Sequence, residues 1–160
     1  MRLVTDSREQ APLVFPKVEG VTYEVCGLVV GDYAAFDGTT QYPVVAERKG
    51  FGDLYSSFSA NYDAERTKIL KAQALSLHYI LAIEATATEI RKGHGYWKDA
   101  VYHEHRKPGI SMIRQLMSVA VKYHVEILFC TSREEMAWLL QERFLAYDRM
   151  KVAERKIKPD

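Results

Sequence analysis

The stretch Tyr42-Pro43-Val44-Val45-Ala46-Glu47-Arg48-Lys49 limits the fold more than any other part of this sequence. Its first half is an apolar run that reads as a buried strand, yet it ends in a carboxylate and two cations instead of a turn. Unpaired charge is costly to bury. Either the strand surfaces here, or these charges are held together for a purpose. Alternation along a strand puts Glu47 and Lys49 on one face and Arg48 on the other. Just upstream, Asp37-Gly38-Thr39-Thr40 is turn chemistry and makes a hairpin. If residues 38–41 form its loop, Asp32 lies opposite Glu47, with Cβ atoms roughly 5 Å apart. Two carboxylates that close raise each other's pKa unless a cation sits between them. Oxygen ligands with room for water suit Mg2+, with Mn2+ as a substitute. Lys49 would orient or deprotonate a water on the same ion. Such a set is suited to metal-assisted phosphodiester hydrolysis.

The remaining chain is consistent with one globular domain. It has 160 residues, 48% of them hydrophobic, enough for a real core. The domain is expected to span residues 1–160, with 133–160 as a C-terminal helix and basic tail. A net charge of +1 gives no overall sign of a nucleic-acid binder, but its distribution is uneven. Residues 1–60 carry 5 Lys/Arg against 8 Asp/Glu, and residues 61–160 carry 17 against 13. That fits a metal-binding edge beside an anion-binding face, and it fits an ordinary surface as well. Cys26 and Cys130 each sit in an apolar run and read as core residues, not as a disulfide framework. No apolar run approaches the roughly 20 residues of a membrane span, so a cytoplasmic protein without membrane contact is expected.

Periodicity predicts the elements. Leu3 to Asp6 is a short strand, and Val21 to Phe36 a longer one in which Gly27 and Gly31 allow a bulge. After Lys49 the period changes. Phe51, Leu54, Tyr55 and Phe58 mark a short helix, and Arg66, Ile69, Leu70, Gln73 and Leu77 the stripe of a second. Strands at Tyr79–Glu84 and Glu126–Cys130 flank a polar loop, 91–109, and a helix marked by Ile113, Leu116, Met117 and Ala120. Ser132 and Glu135 form a capping box that opens the last helix. The predicted class is α/β, a mixed β-sheet flanked by helices.

Asp6-Ser7-Arg8-Glu9, Gly31-Asp32-Tyr33, Glu47-Arg48-Lys49 and Asp53 form a set. It resembles the XPF family of structure-specific DNA endonucleases, whose signature is Gly-Asp, a gap, Glu-Arg-Lys, three residues and Asp. The three residues here are Gly50-Phe51-Gly52, and the resemblance runs from residue 2 to about 135. A second Glu-Arg-Lys, residues 154–156, has no partnering strand and reads as a solvated helix face. The resemblance implies a restriction-endonuclease-like core. It implies Asp32 and Glu47 as metal ligands, Asp6 as a further acid at the metal edge, and Lys49 as base or water-positioner. Arg48 would buttress the site or contact phosphate, Asp53 would cap the next helix, and Arg8 and Arg66 would contact DNA. Leu70 departs from the pattern, standing where the family often has a glutamine four residues after that helix arginine. With no glycine after Gly109, the family's helix-hairpin-helix modules are not expected here.

The function so implied is that of a stand-alone, Mg2+-dependent endodeoxyribonuclease of bacterial or phage type. It would cut branched, flap or junction DNA in repair or recombination, and some homodimerisation is expected. The segment 91–107 mixes five Lys/Arg, three His and three aromatics, and reads as a DNA-contacting loop with Arg106 and Lys107 on phosphates. An ordinary exposed loop is the plainer reading, and His103 with His105 lacks a third zinc ligand. Two other classes compete: an inactive DNA-binding or scaffolding subunit, and a binding module whose strand-end charges are structural. Keeping Asp32, Glu47 and Lys49 together speaks against the inactive subunit. On electrostatic grounds at least one of Asp6, Asp32 and Glu47 should titrate above its ordinary range. Neutralising Glu47 is expected to relieve that repulsion and stabilise the metal-free protein.

Overall fold

The computed structural model describes residues 1–92 and 109–157, so most of the polar loop, including Arg106 and Lys107, lies outside the described residues. The strands are β1 (Arg2–Asp6), β2 (Thr22–Cys26), β3 (Tyr33–Asp37), β4 (Thr40–Lys49), β5 (His78–Ile83) and β6 (Glu126–Phe129). The helices are α1 (Phe51–Ser57), α2 (Tyr62–Ala74), α3 (Ala87–Lys92), α4 (Gly109–Tyr123) and α5 (Arg133–Ile157). All six strands join one sheet in the order β2-β1-β3-β4-β5-β6. Pairing is antiparallel where β3 meets β1 and β4, and parallel elsewhere. This is the mixed, helix-flanked sheet expected from the sequence.

The two faces of the sheet hold separate cores. Val45, Leu81 and Ile83 pack under α1 to α4 with Leu54, Phe58, Ile69, Ile90, Met112 and Leu116. On the other face Val44, Ala46, Ile80 and Ala82 meet Met136, Leu140 and Phe144 of α5. Alternation therefore carries Glu47 and Lys49 to the four-helix side and Arg48 to the α5 side. Two helices are rotated relative to their predicted stripes. The buried residues of α2 are Glu65, Ile69 and Ala72, while Leu70 is exposed. On α4 they are Met112, Leu116, Val119 and Tyr123, while Met117 is exposed. At the start of α5 the Glu135 N–H donates to Ser132 Oγ (3.1 Å), but the Glu135 carboxylate accepts from Thr131. The box thus closes one residue early. No helix among the described residues is long and apolar enough to cross a membrane.

The single long strand predicted over Val21–Phe36 is in fact two. β2 and β3 lie on opposite sides of β1, and the segment 27–32 crosses the C-terminal end of β1. Gly31 makes the turn with φ +78°, and a Cβ there would stand 2.3 Å from Val45 Cγ2 and 3.0 Å from Ala46 O. The hairpin after β3 also closes more tightly than expected. Asp37 pairs with Thr40, and an irregularity between Ala34 and Phe36 then shifts the register to Tyr33 opposite Ala46. Asp32 and Glu47 continue that register by one step. The expected juxtaposition is reached through a shorter turn plus a bulge.

Gly31→Ala should therefore cost about 3 kcal/mol or more in urea unfolding, from strain at positive φ added to overpacking on β4. Gly27→Ala, where nothing lies within 4 Å of the added Cβ, should stay within about 0.5 kcal/mol of wild type. Equal stability of the two variants would contradict this account of the crossover.

Candidate active site

Asp32 is placed by backbone contacts. Its N–H donates to Ala46 O (2.8 Å) and its carbonyl accepts from the Asp6 N–H (2.7 Å). Its side-chain Oδ2 accepts from the Arg48 N–H (2.8 Å). These bonds fasten the turn before β3 to the ends of both β1 and β4. The carboxylate then sits at the same sheet edge as Glu47.

Glu47 and Lys49 are buried, only 3% and 7% exposed. Lys49 Nζ lies 2.7 Å from Glu47 Oε1 and 3.0 Å from Glu65 Oε2. Lys68 Nζ donates to the same Glu47 Oε1, and the Tyr79 hydroxyl donates to Glu65 Oε1 (3.1 Å). Desolvation pulls the Lys49 ammonium pKa down, but Glu47 and Glu65 outweigh it, and the net shift is upward. Lys49 is therefore held protonated. Glu65 and Lys68 were not found from the sequence. The signal was a charge on the buried stripe of α2, obscured by the wrong helix register.

Asp32 has the opposite environment. Among the described residues it forms no ion pair, and burial followed by the nearby Glu47 charge raises its pKa to about 7, against the Arg48 amide. The raised carboxylate expected of the site is Asp32. Glu47 is already paired with two ammonium groups, so removing its charge takes from buried Lys49 one of its two carboxylate partners. These contacts predict a loss of stability on neutralising Glu47, where relief of repulsion would have given a gain.

Asp6 lines the same cleft as Asp32 and Glu47, but its carboxylate oxygens are already engaged. Its Oδ1 accepts from the Arg8 N–H (2.8 Å) and Nε (2.7 Å), and its Oδ2 from Arg8 Nη2 (2.9 Å) and the Leu28 N–H (2.6 Å). The Arg8 side-chain bond leads in holding its pKa down to about 2 against burial. With both oxygens engaged, Asp6 ties the crossover to β1. Arg8, bonded to Asp6 and to Leu28 O (2.8 Å), still leaves its side chain 71% exposed at the mouth of the site. On the far face Arg48 pairs with Glu84 (2.9 Å) and Glu9 (3.6 Å), which makes it a buttress. Asp53 is not the helix cap: Gly50 is, without a side-chain bond, and Asp53 sits in the first turn. There its charge complements the helix N-terminus. Arg66 Nε donates to the Tyr123 hydroxyl (3.1 Å), linking α2 to α4, and Arg66 lines neither cleft of the site.

Those two clefts meet at Asp32 and Glu47. One, about 440 Å³, is also lined by Arg48, Lys49, Asp53 and Ser56. The other, about 490 Å³, is lined by Val29, Gly31, Thr67, Lys68 and Lys71. Among the described residues no three His, Cys, Asp or Glu groups gather as a metal cage. Two carboxylates nonetheless fit Mg2+ or Mn2+, ions usually held by one or two carboxylates with waters and substrate phosphates completing the shell.

A family model described as the ERCC4 domain matches residues 5–142. Among solved structures, XPF from Aeropyrum pernix is similar over 98% of this chain and 69% of its own, with 16% identity and a TM-score of 0.66. XPF from the same organism in complex with DNA is similar over 99% and 67%, with 15% identity and a TM-score of 0.57. At these identities the structural likeness is one of fold. No curated protein matches the chain.

The electrostatics set a pH dependence. With its pKa raised to about 7 in the folded state, Asp32 binds its proton more tightly folded than unfolded. Its ionisation therefore lowers stability as pH rises from about 4 to about 7, and the penalty stays constant above that. Asp32→Asn should be more stable than wild type by about 1–4 kcal/mol at pH 8, and by nothing at pH 4. Glu47→Gln should instead cost about 1–3 kcal/mol at pH 8, because buried Lys49 loses one of its two carboxylate partners and keeps only Glu65. Urea melts at the two pH values decide it. A destabilised Asp32→Asn at pH 8 would contradict the assignment.

Proposed function

The chain belongs to the ERCC4 domain family of XPF-type DNA-repair nucleases, and from that premise we propose that it is a divalent-metal-dependent endonuclease hydrolysing DNA phosphodiester bonds at Asp32, Glu47 and Lys49. One observation carries this reading: two carboxylates from adjacent strand ends share a sheet edge, and Asp32 has no cation of its own among the described residues. Asp32 and Glu47 would hold Mg2+ or Mn2+. When bound, the ion supplies Lewis-acid polarisation of the phosphate and acidifies a water.

The chain's own residues do the positioning. Lys49, protonated and fixed by Glu47 and Glu65, orients the attacking water and faces the charge that gathers on the phosphate oxygens. Arg48, anchored by Glu84 and Glu9, holds the end of β4, and its N–H fixes the rotamer of Asp32. Exposed Arg8 at the mouth favours phosphate approach. The DNA-bound relative supports DNA as the substrate class. Branched or junction DNA and a homodimeric state are parts of the same proposal.

Cleavage of end-labelled flap, junction and plain duplex DNA with Mg2+ or Mn2+ tests the reading. Asp32→Asn should lose about 100-fold or more in cleavage rate while DNA affinity changes by less than about two-fold, because affinity comes mainly from phosphate neutralisation. Lys49→Ala should lose cleavage too, at an added cost in stability, because Glu47 and Glu65 lose the buried ammonium they share. Near wild-type cleavage by Asp32→Asn would place the chemistry elsewhere.

A further inference from the structure

Glu47 carries more positive charge than it needs. Lys49 and Lys68 both donate to the same oxygen, Oε1. The two ammonium groups are not equivalent. Lys49 has a side chain only 9% exposed, clamped between Glu47 and Glu65. Lys68 has a side chain 44% exposed, and its other carboxylate contact, Glu65, is 3.9 Å away. Lys49 is built in, whereas Lys68 reaches in from the surface of α2 and is free to leave.

It also has somewhere to go. Lys71 lies three residues further along α2, hence on the same face. Both lysines line the 490 Å³ cleft, together with Arg8 and Thr67. That cleft adjoins Asp32 and Glu47 on the side away from Asp53. A divalent cation on these carboxylates would repel an ammonium on Glu47, and the exposed one yields at lower cost.

Building on the nuclease reading, we propose that Lys68 is an exchangeable counter-cation: it neutralises Glu47 while the site lacks a divalent ion and, once released, joins Lys71 in holding a substrate phosphate beside the scissile one. The two duties exclude each other in time, so cation loading and phosphate binding become linked through one side chain. A resident cation also keeps the Glu47 carboxylate aimed before loading.

The test uses the full chain and Mn2+ alone, with binding followed by loss of the free-ion EPR signal. Lys68→Met keeps the aliphatic stem and the helix propensity. It should bind Mn2+ about three-fold or more tightly than wild type, because a competitor is gone, whereas Glu47→Gln should bind weakly or not at all. If wild type binds and Glu47→Gln does not, but Lys68→Met binds no more tightly than wild type, the counter-cation role is overturned and the nuclease reading stands. If wild type does not bind Mn2+, both fall.

A second readout is duplex affinity by fluorescence anisotropy, in EDTA and in Ca2+. Lys71→Met should weaken binding by a similar factor in both. Lys68→Met should weaken it several-fold more in Ca2+ than in EDTA, where Lys68 is engaged by Glu47. An equal cost in both would make Lys68 an ordinary surface cation and overturn its phosphate role.

Discussion

A lysine ammonium buried between two carboxylates fixes the end of β4. Lys49 lies between Glu47 and Glu65, with the Tyr79 hydroxyl satisfying Glu65 from β5. Charges so deeply buried are tolerated only as a set, since removing one member leaves another uncompensated at several kcal/mol. The set therefore couples β4, β5 and α2 at one point. It also explains how an apolar strand can run straight into Glu-Arg-Lys without surfacing. The alternate residue, Arg48, meets its own carboxylates, Glu84 and Glu9, on the opposite face.

Against that rigid set Asp32 is the exception. Backbone bonds to β1 and β4 hold it in place. No ammonium or guanidinium pairs with it among the described residues. The scaffold places two carboxylates together and compensates only one. Gly31, with its positive φ and its close approach to Val45, makes that placement sterically feasible. Asp6, saturated by Arg8 and Leu28, anchors the crossing segment that carries Gly31 and Asp32. The acidic residue nearest the chain start thus serves the geometry of the site rather than its charge.

Much of this was legible in the residues. The Glu-Arg-Lys ending, the alternation of faces and the hairpin gave the Asp32–Glu47 juxtaposition. The register came out right although the loop was drawn too long, because the bulge near Ala34 offsets the shorter turn. What the sequence hid was non-local. A run of Val, Tyr and Leu from residue 21 to 36 does not say that it parts around β1. Nor did the apolar count on α2 show that its buried stripe holds Glu65, because a buried carboxylate counts as polar until its partner on another strand is known. Motif position alone could not show what Asp6 and Arg66 bind, because their partners Leu28 and Tyr123 are 22 and 57 residues distant.

The central claim is that one carboxylate at this edge is left uncompensated for a cation to bind. Carboxyl 13C chemical shifts of aspartate-labelled protein, titrated from pH 3 to 9 with and without millimolar Mg2+, test it most directly. The account expects one aspartate, lost in Asp32→Asn, to titrate near neutral pH and to move down by a unit or more when Mg2+ is added. If every aspartate titrates below pH 5, or if the neutral titration is indifferent to Mg2+, the edge is not a cation site and the account fails.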